Sequence, residues 1–259
     1  MCGPLTVEPV TDRHGSAVWK ACGTHGTAAI KAGSGDGAAV TVREARAIDR
    51  IGLPGYETVH GDAKDGSWLV TLWFDGPSTR TLFQPVRQGR SDREAARTAA
   101  VDLCLAVADL HAASWVHADL QPEHALHTGD DVRLIDLSWA WHDDFKPSHV
   151  FNGGIPHLLA PEPAASIADG IRPVTPDPAA EVYTLAAVLW TCTTGRWPLD
   201  YKQAGLEPKE LGAAGLRRAI ATRRLHLAPE RPWPDLQHVL RNVLLAPAGH
   251  RPTAGELAI

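Results

Sequence analysis

The chain has 259 residues, 44% hydrophobic and 21% charged, with a formal net charge of −5. That is enough for one large domain or two small lobes, and the acidic balance excludes nucleic acid or an anionic membrane surface as the main partner. Cys2, Cys22, Cys104 and Cys192 stand far apart with no CxxC pair, so neither a disulfide framework nor a zinc site is expected. No basic segment followed by an apolar core opens the chain, and no run reaches the ~18 apolar residues of a membrane span. A cytoplasmic protein is the expectation. Nine Trp suit packed cores and recognition surfaces equally.

In chain order, residues 5 to 75 are rich in Gly, Val and Thr. Candidate strands are Ala17 to Ala21, Thr27 to Lys31 and Trp68 to Phe74, separated by Gly-containing turns. Between the second and third lies a helical pattern, Thr41 to Ile51, ended by Gly52 and Pro54. After Asp75 the pattern turns helical. Ser91 and Glu94 form a capping box, and Ala96, Ala99, Ala100, Leu103, Val107 and Leu110 follow at helical spacing. Residues 141 to 176, with Gly153-Gly154 and prolines at 147, 156, 161, 163, 173 and 176, read as a long irregular connection, usually a functional one. Asp177-Pro178 is an N-cap with an N1 proline. It opens a buried helix around Val182 to Cys192, closed by Gly195. Helical patterns at Ala213 to Arg224 and Trp233 to Leu245 finish the chain.

The stretch Trp115 to Ala140 concentrates the chemistry. Asp119 follows His117-Ala118, Gly129 marks a turn, and Val132 to Leu137 is a mostly apolar run that reads as a buried strand. A loop carries one carboxylate, a hairpin follows, and a second carboxylate, Asp136, stands at the strand end. Two such acids suit a divalent metal and a proton acceptor.

These motifs, in this order, resemble the eukaryotic-type Ser/Thr protein kinase family across almost the whole chain. Ala28 to Lys31 looks like the lysine strand motif, with Glu44 on the following helix. His117 to His124 is similar to the catalytic loop HRDLKPEN, and Asp136-Leu137-Ser138 to DFG. Gly154 to Glu162 resembles the end of the activation segment, Glu181 to Pro198 the central helix and its exit, and Arg251 the late arginine that pairs with the segment's glutamate. The resemblance implies an α+β, bilobal protein-kinase-like fold. Residues 1–75 would form a small β-rich N-lobe and residues 76–259 a larger helical C-lobe.

The resemblance also implies roles. Lys31 would reach the ATP phosphates, a task suited to a point charge on a flexible stem, and pair with Glu44. Gly15, Ser16, Val18, Ala29, Thr71, Leu72 and Trp73 would line the nucleotide site. Asp119 would accept the substrate hydroxyl's proton, and Asp136 would hold Mg²⁺. Glu162, Arg251 and Glu181 would be structural: a buried Glu162–Arg251 ion pair and a Glu181 brace on the catalytic loop. For Glu44, a structural alternative is a capping box with Thr41.

Several positions depart from the family. Thr11, Arg13 and Ser16 stand where the covering loop has glycines, with Gly15 out of register. Gln121 replaces a lysine at the γ-phosphate, losing a charged hydrogen bond of about 1.5–3 kcal/mol, or roughly 10- to 100-fold in rate. His124 replaces an asparagine metal ligand and stays with Asp136 as a metal-site residue, though imidazole suits so hard a cation poorly. One-metal chemistry, with His124 hydrogen-bonding a phosphate or Asp136, is the expectation, and Ser138 replaces a glycine. Ala118 replaces the arginine that reads a phosphorylated activation loop, and positions 136 to 162 hold no Thr or Tyr, only Ser138 and Ser148. The reading is an ATP- and Mg²⁺-dependent phosphotransferase acting on Ser/Thr of a dedicated protein or peptide client. The client fits a natural-product precursor peptide, with a partner protein delivering it or activating the enzyme. A pseudokinase scaffold is the alternative, and a small-molecule kinase of the aminoglycoside phosphotransferase type comes third.

Overall fold

A computed structural model describes residues 5–13, 15–90, 93–129, 131–229 and 232–258. Ser91, the expected cap of the long helix, lies outside them. The chain divides into two compact units. One comprises the described residues of Met1–Asp75 with Asp136–Ala140; the other comprises those of Gly76–Ile135 and Trp141–Ile259.

The first unit is a five-stranded antiparallel sheet with one helix. Its strands are β1 (Thr6–Arg13), β2 (Ser16–Gly23), β3 (Gly26–Ser34), β4 (Thr58–Ala63) and β5 (Gly66–Leu72), ordered β1-β2-β3-β5-β4. The two edge strands were not expected, because β1 carries Pro9 and β4 lacks apolar alternation. Ladder pairing to a neighbour overrides such weak propensity. Proline is tolerated on an edge, and the β1–β2 register shifts between Pro9 and Thr11.

Helix α1 (Asp36–Ile51) starts five residues before the expected Thr41. Glycines explain the early start: a side chain on Gly33 would strike the Gly37 carbonyl, and one on Gly37 the Gly15 carbonyl. Strand end, hairpin tip and first helical turn can therefore meet. Thr41 is no cap. It is fully buried inside the helix, its hydroxyl donating to the Gly37 carbonyl at 3.0 Å. Gly52, left-handed at φ 62°, caps the far end as expected.

The expected strand through Asp136 stops short. β6 (Ala125–His127) and β7 (Val132–Leu134) form the hairpin of the second unit. Asp136 then takes left-handed geometry (φ 58°, ψ 58°), and Leu137–Trp139 form a 3₁₀ turn packed on α1 within the first unit. A left-handed residue cannot continue a strand.

The second unit is helical: α2 (Thr79–Leu82), α3 (Gln84–Arg87), α4 (Glu94–Ala112), α5 (Pro161–Ala168), α6 (Pro178–Thr194), α7 (Pro208–Ala221), α8 (Pro234–Leu245) and α9 (Ala254–Leu257), with a small ladder of β8 (Leu199–Asp200) and β9 (His226–Leu227). All six apolar positions named for α4 are buried. Helix α6 is its core, nearly buried on every side, with Asp177 accepting from the Ala180 amide at 2.7 Å and Gly195 left-handed at its end. Residues 141 to 176 are not all irregular. Pro156–Leu158 form a 3₁₀ turn and Pro161 starts α5, because proline at N1 forfeits no hydrogen bond. Helix α7 begins at Pro208, before the expected Ala213, and breaks at Gly212 (φ 60°, ψ 179°). No helix among the described residues is long and apolar enough to cross a membrane.

Candidate active site

In the first unit the β2–β3–β5 register decides which side chains share a face. Val18 pairs with Lys31, Ala29 with Thr71 and Lys31 with Leu69. Directly paired residues and those two apart point the same way, so Val18, Ala29, Lys31 and Thr71 lie on one face. Leu72 pairs with Ala28, hence faces the other side, and is 48% exposed. Trp73 lies just past β5, its amide donating to the Thr27 carbonyl. Its indole N–H reaches Asp75 at 2.8 Å, and the Lys20 ammonium lies over its ring. Gly15 is tied down: its carbonyl accepts from the Ser34 amide at 2.8 Å. The buried Ser16 hydroxyl beside it has no hydrogen-bond partner among the described residues.

Lys31 Nζ contacts Glu44 Oε2 at 2.5 Å and Asp136 Oδ1 at 3.2 Å. Burial alone would depress the Lys31 ammonium, but Glu44 and Asp136 together push it above its ordinary value. Asp136 Oδ1 also accepts from the Ser138 hydroxyl at 2.9 Å, and Arg43 of α1 donates to the Ala140 carbonyl at 2.7 Å. The left-handed backbone at Asp136 costs roughly 1–3 kcal/mol, and these contacts over-determine it. A carboxylate oxygen donor held this way suits Mg²⁺, which binds through one or two carboxylates plus substrate phosphates.

In the second unit Asp119 is 8% exposed, and both of its carboxylate oxygens accept from the Gln121 amide, at 3.1 and 3.0 Å. A side chain on Gly154 would collide with that carboxylate, and Gly154 is left-handed at φ 55°, so glycine is required there twice over. His124 Nδ1 lies 2.9 Å from the Asp119 carbonyl. A carbonyl only accepts, so Nδ1 carries the proton. His124 thus braces the loop, and its imidazole is a poor match for Mg²⁺. His117 is oriented similarly: Nδ1 accepts from the Asp119 amide at 3.3 Å, leaving Nε2 to donate to the Ile135 carbonyl at 3.1 Å.

Glu181 braces this loop from α6. It accepts from the Ala118 amide at 2.7 Å, the His117 amide at 3.1 Å and His111 Nε2 at 2.8 Å. Burial alone would raise its carboxyl, but the His111 hydrogen bond and charge, the His117 charge and the Ala118 amide hold it below the ordinary range. Ala118, at φ 65°, is thereby fixed in a conformation that alanine avoids. Glu162 meets Arg251 at 2.8 Å and also Arg223. The expected buried pair is only half so: the Arg251 side chain is inaccessible, but that of Glu162 is 34% exposed.

Sequence reasoning missed His111, Arg43, the Ser138 hydroxyl and the Gly154 approach. His111, Arg43 and Gly154 act through tertiary contacts that no local spacing signals, whereas Ser138 stands two residues from Asp136, and that Asp-x-Ser spacing was the signal available in the sequence. A cavity of about 290 Å³ in the second unit, lined by Ala100, Cys104, Leu189, Trp233, Val239 and Leu240 among others, touches none of these residues.

Among known proteins, no family model matches the chain. It is 29% identical over 160 residues, 60% of its length, to the "Probable serine/threonine-protein kinase PkwA" of Thermomonospora curvata. To the "Serine/threonine-protein kinase RUNKEL" of Arabidopsis thaliana it is 31% identical over 134 residues, 51% of its length. The matches span 20% and 9% of those relatives' own lengths. Over half its length or more, then, the chain is similar to Ser/Thr protein kinases.

Proposed function

We propose that this chain is a phosphotransferase of protein-kinase type, moving the ATP γ-phosphoryl group to a Ser or Thr hydroxyl of a protein or peptide. One observation carries the proposal: Lys31, Glu44 and Asp136 form a connected ion triad in the first unit, an arrangement with little structural purpose on a small sheet but suited to holding phosphates and a cation. When bound, Mg²⁺ neutralises phosphate charge and orients the γ-phosphoryl group. Asp136 would hold it, and Lys31, kept charged by its partners, would clamp the α- and β-phosphates. The face of Val18, Ala29 and Thr71 would receive the base, and the Ser16 hydroxyl, without a partner among the described residues, would donate to a phosphate oxygen. Asp119 accepts the substrate hydroxyl's proton as that oxygen bonds to the γ-phosphorus, and the bond to the β–γ bridging oxygen breaks to release ADP. Gln121 holds the Asp119 carboxylate in place.

Such chemistry is mostly positioning, so a set that lacks the usual lysine works best on a client held for long. We propose a dedicated client, a precursor peptide in natural-product biosynthesis fitting best, with a partner protein delivering it. A second reading, a pseudokinase scaffold, draws on Asp119, whose two carboxylate oxygens are both engaged by Gln121. Incubation with Mg²⁺, γ-labelled ATP and candidate peptides, beside Asp119→Asn, separates the two. Transfer that vanishes in the variant supports the enzyme. Nucleotide binding without transfer to any client supports the scaffold, and a protein that binds no nucleotide sinks the catalytic reading.

A further inference from the structure

Ser138 is 2% exposed and Ala140 is fully buried. A buried hydroxyl must find an acceptor, and that of Ser138 reaches Asp136 Oδ1, the same atom that Lys31 approaches. A bond to a carboxylate is charge-assisted and short, and glycine at 138 could not make it. On the far side of the 3₁₀ turn, Arg43 holds the Ala140 carbonyl at 2.7 Å. Arg43 is next to Glu44 on α1, so one helix fixes both ends of this device. Glu44 acts through Lys31, and Arg43 acts directly. Every contact lies within the first unit.

We propose that Ser138 and Arg43 are positioning residues that preset Asp136 for its cation, so that the turn's geometry is set by α1 rather than by modification of the segment that follows. The inference rests on the phosphotransferase reading and deepens it by giving that site a built-in regulation: it stands loaded without a switch. Outer partners of a metal ligand typically shift metal affinity 10- to 100-fold, so their removal should act on the metal dependence first.

The test uses the full chain with Ser138→Ala, Ser138→Gly and Arg43→Ala. Thermal shift with a non-hydrolysable ATP analogue is followed across a Mg²⁺ titration. The Mg²⁺ midpoint is expected to rise about 10-fold or more in each variant, with kcat at saturating Mg²⁺ falling far less. Hydrogen exchange of the amides at 137 to 140, measured without nucleotide, is expected to accelerate in the variants. A wild type that titrates normally, beside Ser138→Ala with the same midpoint and the same exchange, overturns the inference and leaves the phosphotransferase reading standing. A wild type blind to Mg²⁺ and nucleotide sinks that reading instead, and the exchange rates then decide the positioning role alone.

Discussion

Glu181→Ala is the most informative single change. It removes a buried acceptor of three donors: the Ala118 amide, the His117 amide and His111. A buried donor left without a partner costs about 1–3 kcal/mol, and water entering the vacated space would satisfy part of that. Breaking a buried pair by removing one member typically costs about 3–5 kcal/mol, and a loss of that size is expected here. Domains of this kind have about 5–15 kcal/mol in all, so the variant should remain folded but with a much earlier urea midpoint, read by far-UV circular dichroism. Glu181→Gln keeps the shape but presents an N–H to one of the donors, and should fall between. The pH dependence has a definite sign. Because the folded carboxyl is held below its ordinary value, its contribution is present above the usual glutamate range, near pH 4.3, and is lost as pH falls through the lower folded value. The wild type's advantage over Glu181→Gln should therefore persist to about pH 4.3 and shrink only below it. An Ala variant within about 1 kcal/mol of wild type, or an advantage already lost at pH 6, would refute the brace.

Gly154→Ala should abolish phosphoryl transfer while leaving the far-UV circular dichroism of the wild type, since the new methyl meets the Asp119 carboxylate; retained transfer counts against Asp119 as the acting base. Arg251→Ala should destabilise by about 3–5 kcal/mol in urea melts, because that guanidinium is inaccessible and also holds the Ala179 carbonyl. Arg223→Ala, on the exposed side of the same glutamate, should cost under about 1 kcal/mol, and equal losses would contradict this division. Burial pushes the Cys104 and Cys192 thiols up to about 12, so peptide mapping after a thiol reagent at pH 8 should find both unmodified until denaturant is added.

Much of the fold was legible because its signals are local. Helix α6 announced itself by Asp177, Pro178, an all-round apolar run and Gly195, each of which acts within a turn of its own position. Strands β2, β3 and β5 were readable from short apolar segments between glycines. The edge strands β1 and β4 were not, since their pairing depends on neighbours distant in sequence. Thr41 illustrates the reverse error. Three residues before Glu44 it has the spacing of a capping box, yet Gly33 and Gly37 let the chain start its helix earlier, and a cap became a buried interior residue.

The acids, the lysine and their order along the chain could be read from residue identity alone, because the chemistry of a carboxylate or an ammonium travels with the side chain. How those groups are held could not. That Lys31 bridges Glu44 and Asp136, that Gln121 grips Asp119, and that His124 braces a carbonyl depend on distances of about 3 Å between residues up to 105 positions apart. Hydrogen bonds weaken steeply outside such distances. The Gln121 and His124 contacts lie within five residues of Asp119, and the conformation of the loop decides them; the Lys31 contacts span 13 and 105 positions, and only packing brings those atoms within reach.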